Sequence, residues 1–455
     1  MIITYQDLQT MGLNSSSAVE QIIENHRISR EYQTAVDADR YDRQNNTTIM
    51  RFAKYIYSPQ GEKSIDSISA NHKLCSNIFR RLNTQRTAYS LGNGVTFEGA
   101  NTKAKLGIDF DSKLRSAAYY SLIHGISFVF WNLNHIHVFP LTEFAPVWDE
   151  ETGALRAGVR YWQIDSNKPV MAVLYEEDGF TKLKGDNSGN QFKVIEEKRA
   201  YKFKTRRAAA DSEAEIIGAE NYGSLPIIPF YGSNLKQSTL VGLKSKIDAF
   251  DLIQSGFCND LAECAEVYWL VTNAGGMDDE DLANFRNRLK LNHIANVEDA
   301  DDVKLQPFTQ EIPTTARSTF LTEIRKSIYE DFGALDCSQI SAGARTATEI
   351  NAAYQPMDEN ADDFEYQLID GIQHLLALQN IEDTPIFKRN RISNQMEQTN
   401  MIITASPFLD DETVLNKLPF LTPDEVAGIM ERKDIEDNER LLNQEKETEE
   451  VIEVE

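Results

Sequence analysis

Basic charge is scarce in this chain. Its 455 residues carry 46 Lys and Arg against 71 Asp and Glu, a formal net charge of −25. Proteins that clamp nucleic acid gain affinity by neutralising phosphates with Lys and Arg, so this balance argues against a clamp, sequence-specific or not. Cysteine is scarce too: Cys75, Cys258, Cys264 and Cys337 are widely spread and form no C-x-x-C pair. Neither a zinc knuckle nor a disulfide framework is expected, and the thiols read as reduced and mostly buried. The most apolar stretch, residues 119–131, is too short for a membrane span and is interrupted by Ser121, His124, Gly125 and Ser127. The first residues lack the basic and apolar regions of a secretory signal, so assembly inside a cell is expected.

Catalytic and phosphate-binding motifs are missing as well. There is no G-x-x-x-x-G-K-S/T loop, no G-x-S-x-G and no H-E-x-x-H. Gly92-Asn93-Gly94 lacks the third glycine and following helix of a dinucleotide loop and reads as a helix-to-strand turn. No enzyme activity and no cofactor are expected.

What is present is the composition of a globular protein, 41% hydrophobic, with length for about three structural units. Residues 1–90 read as polar helices with amphipathic spacing, for example Val19, Ile22 and Ile23. From Val95 to about Phe230, short β-rich runs (126–131, 136–139, 159–164, 170–175 and 199–204) surround a helix over 112–123. The fold class is therefore α+β. Residues 224–229, with Pro226 and Pro229, read as the exit from this domain.

Two long helices follow. Leu240, Leu243, Ile247, Phe250, Ile253, Phe257 and Leu261 recur every three or four residues, which predicts one apolar face on a helix of about 25 residues. Ala316, Phe320, Ile324, Ile328 and Phe332 repeat every four after Pro313 and predict its partner. Between them, residues 266–312 predict a compact insert: a strand at 267–271, a Gly275-Gly276 turn, a helix over 278–290 and further strands near Ile294 and Val303. Its acidic cluster Asp278, Asp279, Glu280, Asp281 stands at a helix N-terminus, where carboxylates oppose the macrodipole. The same cluster also suits a basic partner.

The chain then passes through a small, polar segment, residues 334–345, that has no apolar face to bury. It ends in a capping box, Thr346-x-x-Glu349, opening a helix that must kink or break at Pro356. A strand at 386–388 and helices opened by Ser406-Pro407 and Thr422-Pro423 come next. The last twenty-five residues hold eleven acids and read as a frayed tail.

Other chemical candidates are weak. His135-x-His137 puts two imidazoles on one strand face, but no third ligand has clear spacing, so a metal site is not expected. Asp362-Asp363 and Asp410-Asp411 arise by composition in so acidic a chain. The basic stretch 193–207 serves equally as a nucleic-acid patch or as an edge strand guarded by lysines.

The order of these segments resembles the portal protein of tailed bacteriophages, siphovirus type. The resemblance rests on Phe139-Pro140-Leu141-Thr142-Glu143-Phe144-Ala145-Pro146-Val147-Trp148-Asp149, Gly158-Val159-Arg160-Tyr161-Trp162, Ile228-Pro229-Phe230-Tyr231-Gly232, residues 243–255 and Arg345-Thr346-Ala347-Thr348-Glu349-Ile350. It implies a wing domain over 1–235, stem helices at 236–265 and 313–333, a clip at 266–312, a tunnel loop at 334–345, a kinked tunnel helix at 346–380, a C-terminal wing or crown at 381–430 and an acidic tail at 431–455. In that scheme Leu243, Ile247, Phe250, Phe257, Phe320, Ile324 and Ile328 pack the stem. Gln339, Ser341 and Arg345 face the channel, Thr346 and Glu349 cap the tunnel helix, and Asp278, Asp279, Glu280, Asp281 and Arg286 meet a partner in the clip.

The implied assembly is a ring, usually of twelve subunits, at one capsid vertex of the virion, assembled in the host cytoplasm. The implied partners are further copies of the chain, double-stranded DNA, terminase, the major capsid protein and head-completion or adaptor proteins. No membrane is involved. An adaptor without a channel and a metal-dependent nuclease are the competing readings.

Overall fold

The computed structural model of the chain describes residues 3–11, 16–57, 60–66, 69–99, 101–206, 215–264, 268–272, 280, 304–308, 313–336, 347–391, 399, 402–418, 426 and 428–433. It divides into two units: residues 1–344 with 352–389, and residues 345–351 with 390–455.

The first unit opens with four helices, α1 (Tyr5–Met11), α2 (Ser16–Ile28), α3 (Arg30–Asp42) and α4 (Thr47–Arg51), and a small hairpin, β1 (Tyr55–Tyr57) with β2 (Lys63–Ile65). Helix α5 (Ile78–Leu91) leads through Gly92 and the left-handed Gly94 into β3 (Val95–Phe97), the turn the sequence predicts. After α6 (Thr102–Lys105) comes α7 (Phe110–His124). Gly125 ends α7 at φ 86°, and a Cβ there would lie 2.6 Å from the Gln237 carbonyl carbon, so this stop requires glycine.

Ten strands follow: β4 (Ile126–Asn132), β5 (His135–Pro140), β6 (Phe144–Trp148), β7 (Leu155–Trp162), β8 (Met171–Glu176), β9 (Gly179–Lys184), β10 (Lys193–Arg199), β11 (Lys202–Arg206), β12 (Glu215–Glu220) and β13 (Ile227–Tyr231). They form an antiparallel sheet β13-β4-β5, a five-stranded antiparallel sheet β10-β9-β8-β7-β6 and a separate pair β11-β12. The larger sheet is buried on both faces, and its period of two sorts the side chains. Ala172 and Leu174 of β8 meet Val19, Ile22 and Ile23 of α2, while Val173 and Tyr175 join the core shared with Phe128, Phe139 and Phe144.

Three expectations change here. Residues 224–229 are not a domain exit: Pro226 accepts a hydrogen bond from Trp131 N–H, and Pro229 lies within β13, an edge strand where a missing N–H is tolerated. The single strand expected over 199–204 is two strands, broken because Tyr201 turns inward and its hydroxyl donates to the Glu176 carbonyl at 2.6 Å. Strands β6, β9, β12 and β13 and the β1–β2 hairpin lie outside the β-rich runs read from the sequence. Pro146 suppresses the strand signal of β6 but sits harmlessly at a sheet edge. Strand β10 is the opposite edge, and Lys198 and Arg199 pair with Glu176 and Glu196, as an edge strand guarded by charge would have it.

Helix α8 (Leu240–Cys264) is 25 residues long and α9 (Thr314–Phe332) is 19, both where periodicity predicts them. Between them the described part of the insert is an antiparallel pair, β14 (Tyr268–Thr272) with β15 (Lys304–Phe308). Helix α10 (Ala347–Ala377) spans 31 residues and continues through Pro356, so of the kink or break expected there the break does not occur. Its apolar row Phe364, Leu368, Ile372, Leu375 is fully buried against the core of α7 and the three-stranded sheet. That packing along most of its length offsets the one amide lost at the proline. Strand β16 (Pro385–Phe387) pairs with β3, starting one residue earlier than expected. In the second unit Ser406 opens only a short 3-10 turn, and α11 (Asp411–Lys417) is capped by Asp410, which accepts from Thr413 N–H at 2.9 Å.

Candidate functional site

The α8–α9 pair and its surroundings hold most of the described residues singled out in the sequence. Leu243, Ile247, Ile328, Tyr329 and Phe332 are buried in one core with Phe79 and Leu82 of α5. Phe250 and Ile324 are half-buried against that core. Burial then fades along both helices: Phe257 is half-buried, whereas Phe320 is 46% and Leu261 51% exposed. Polar clasps join the two helices. Lys246 donates to Ser327 Oγ at 2.6 Å and pairs with Asp331, and Arg317 pairs with Asp260.

A second row on α8 is polar yet buried, and hydrophobic periodicity gave no hint of it. Asp251, Ser255 and Asn259 recur every four residues and accept, in turn, the backbone N–H groups of Ser76 (2.9 Å), Leu74 (3.0 Å) and His72 (2.6 Å). Two residues of extended chain rise about 6.6 Å, and four residues of helix about 6.0 Å, so alternate amides meet every fourth helical side chain. Asp251 also accepts from Asn46 Nδ2 at 2.8 Å. Burial raises its pKa, and the Asn46 and Ser76 bonds oppose that rise. One turn earlier, burial would raise Asp248 as well, but Lys244 at 2.7 Å, with Tyr41 and Thr48, holds it below the usual carboxylate value. The i, i+4 spacing of Asp251, Ser255 and Asn259 beside the apolar face was the signal available in the sequence.

The exit of α9 is equally fixed. Gly333 caps it at φ 63°, and a Cβ there would collide with Asn360 Nδ2 of α10. Arg86 of α5 donates to the Phe332 carbonyl at 2.7 Å and lies over the Phe332 ring at 4.1 Å, while Gln85 donates to the Leu335 carbonyl at 2.9 Å. Burial lowers the Arg86 pKa to about 10. Across the gap, Arg389 binds three carboxylates of α10: Asp358 at 3.1 Å, Glu365 at 2.8 Å, and Asp362. Asp358 also accepts from Tyr89 Oη at 2.5 Å.

The other candidates divide between bonded groups and undescribed positions. Asp363 accepts the Asn234 N–H at 3.1 Å, and Asp411 pairs with Lys433, so each acid of the pairs Asp362-Asp363 and Asp410-Asp411 makes a structural bond. His135 and His137 converge, with their Nε2 atoms 3.1 Å apart. Among the described residues no three His, Cys, Asp or Glu side chains gather as a metal site, and no helix is long and apolar enough to cross a membrane. Gln339, Ser341, Arg345 and Thr346 lie outside the described residues, as do Asp278, Asp279, Asp281 and Arg286; the side chain of Glu349 does too. Glu280 is helical and exposed. The acidic tail beyond residue 433 is likewise outside them.

Comparison with known proteins bears directly on this architecture. A "Portal protein" of Clostridium phage phiCD119 (strain Clostridium difficile/United States/Govind/2006) is 24% identical over 256 residues, 54% of this chain and 54% of the relative. The chain thus spans about half the length of that relative. A "Portal protein" of Bacillus phage SPP1 is 22% identical over 415 residues, 82% of this chain and 79% of the relative. Among solved structures, the neck of a native GTA particle computed with C12 symmetry matches with TM-score 0.44 and 10% identity over 83% of this chain and 98% of that one. The neck of an empty GTA particle computed with C6 symmetry matches with TM-score 0.44 and 9% identity over 74% and 88%. Likenesses this distant add nothing to the assignment. The family model described as "Phage portal protein, SPP1 Gp6-like" matches residues 20–450, nearly the whole chain, and the chain belongs to that family.

Proposed function

We propose that the chain is the subunit of a ring-shaped, non-enzymatic conduit for double-stranded DNA at one vertex of a phage capsid. The observation that carries this reading is the fading burial along α8 and α9. Near the body of the first unit the two helices share a core; farther out, Leu261 and Phe320 remain 51% and 46% exposed on helices whose apolar faces find no complete partner among the described residues. Beside them, Phe52, Leu252, Ile253 and Arg317 line a cleft of about 400 Å³. Apolar surface of this kind is covered when identical subunits pack head to tail, and such a contact closes into a ring when the rotation permits.

In that ring, α8 and α9 are the stem. The insert between them is the docking site for terminase and, later, for head-completion or adaptor proteins. Residues 334–345, which follow the Arg86, Gln85 and Gly333 contacts at the end of α9, are the tunnel loop, with Gln339, Ser341 and Arg345 toward the channel. The two-sheet domain meets the major capsid protein. Twelve such subunits would carry twelve times −25, or −300, before counterions screen it. An acidic wall makes few phosphate contacts, so a duplex of any sequence slides. ATP hydrolysis belongs to the terminase, and assembly takes place in the host cytoplasm.

The test is the mass of the purified full-length chain by mass photometry, with negative-stain microscopy, across a range of salt. Rings with a central hole are expected; a monomer under every condition overturns the reading. Closed assemblies without a hole would instead favour an adaptor. Magnesium-dependent DNA cleavage lost in Asp362→Asn or Asp410→Asn would favour a nuclease, an outcome opposed by the bonds those carboxylates already make.

A further inference from the structure

The histidine pair on β5 has a feature that spacing alone did not reveal. The two side chains lie on one face of the strand, and His137 is stacked on Phe130, its cross-strand partner, at 6.1 Å. Asn134 Oδ1 lies 2.9 Å from His135 Nδ1. An amide oxygen only accepts, so His135 Nδ1 carries the hydrogen and its Nε2 is left with a bare lone pair. Asn132 Nδ2, which only donates, lies 3.4 Å from His137 Nε2, so that nitrogen is also an acceptor. In that tautomeric arrangement two lone pairs face each other across 3.1 Å, whereas a His137 protonated at Nε2 would donate to His135.

Two acceptors at that distance repel unless a positive species sits between them. Imidazole nitrogens bind divalent zinc at about 2.0–2.1 Å, which at tetrahedral or octahedral angles sets two of them about 2.9–3.4 Å apart. The observed separation lies inside that window. The bond from His135 Nδ1–H to Asn134 is the outer-sphere contact that fixes tautomer and ring orientation in histidine–metal sites. Both rings are only half-buried, on an edge strand, so water can complete the coordination.

We propose that His135 and His137 form a two-imidazole site for a borderline divalent transition ion of the zinc, nickel and copper class, pinning the β4–β5 turn. Imidazole donors suit these ions and not the hard cations magnesium and calcium. Asp109 lies close enough to attract a cation there, and Arg160 and Lys113 are close enough to oppose it, so binding is expected to be moderate.

The test is calorimetric titration of nickel(II) into the full-length protein in a non-coordinating buffer, with thermal melts alongside. One ion per chain is expected, with a rise in melting temperature. His135→Gln and His137→Gln should each weaken binding at least tenfold and abolish the rise, and Asn134→Ala should weaken it several-fold. Because the chain has seven histidines, the double variant is the control. No nickel binding, or binding that survives in the double variant as an adventitious ion only, overturns the proposal. So does a nitrogen NMR signature of one proton shared by the two rings that persists with an equivalent of nickel present.

Discussion

Asp251 Oδ1 accepts the backbone N–H of Ser76 at 2.9 Å, a bond that joins residues 175 positions apart and ends on a fully buried aspartate. It is the first rung of the ladder that lays residues 72–76 along α8, and its energetics follow from burial. Asp251→Ala leaves the Ser76 amide and the Asn46 side chain without their acceptor, at an expected cost of about 1–3 kcal/mol in denaturant unfolding. Ser255→Ala, which removes a neutral acceptor, should cost about 1 kcal/mol. Equal losses at the two positions would show that the carboxylate adds nothing beyond its shape.

A pH dependence should come from His26. Burial, with a smaller contribution from Arg27, lowers its pKa from 6.5 to about 4. The unfolded chain therefore takes up this proton first as pH falls, and stability declines between pH 6.5 and 4, by roughly 3 kcal/mol in full. His26→Gln should flatten this part of the profile in thermal melts from pH 7 to 4. An unchanged slope would place the titration elsewhere.

Asp248 acts over a lower range. Its pKa is held below 3.8, so its contribution is present above that value and is lost as pH falls through the folded pKa. Asp248→Asn should lower stability at pH 7 and have progressively less effect below pH 4. A deficit that stays constant down to pH 2 would contradict this.

Arg389→Met should leave Asp358, Asp362 and Glu365 facing one another on a single side of α10 with their shared cation removed. Like charges at this spacing repel. The melting temperature should fall, and added salt should recover part of the loss by screening. A salt-insensitive loss would point to packing of the arginine stem instead.

Phe320→Glu and Leu261→Glu alter side chains that are about half exposed in the single chain. Circular dichroism and monomer stability should barely change, within about 0.5 kcal/mol. Assembly measured by mass photometry should fail. Separately, deleting residues 339–343 should leave ring assembly intact and impair DNA packaging or retention; unimpaired packaging would remove the role assigned to that loop.

The elements legible in the sequence were those whose pattern is local and repeated. The helices around Leu243, Ile247 and Ile328 show a clear 3.6-residue period, and β4 and β8 are dense in branched and aromatic residues. What stayed hidden depended on distant partners. Pro146 and Pro229 argue against strands until the sheet places both at edges. Tyr201 interrupts a β-rich run because its hydroxyl reaches Glu176. Pro356 argues for a kink or break, and with the core covering the helix beyond it the break does not occur. The family resemblance was carried by segment order, which tolerates such local errors. Only the helix side of the polar ladder, the spacing of Asp251, Ser255 and Asn259, is legible, because its partners are backbone amides with no residue type to recognise.

That last point makes α8 and residues 72–76 unequal under mutation. The helix contributes specific side chains, whereas His72 and Leu74 bond to it through main chain, so Asp251, Ser255 and Asn259 cannot vary freely whereas His72 and Leu74 can, provided that neither becomes proline. A proline at either position deletes one rung outright. Sequence drift should therefore accumulate on one side of this contact and stall on the other, although both sides hold the same bonds.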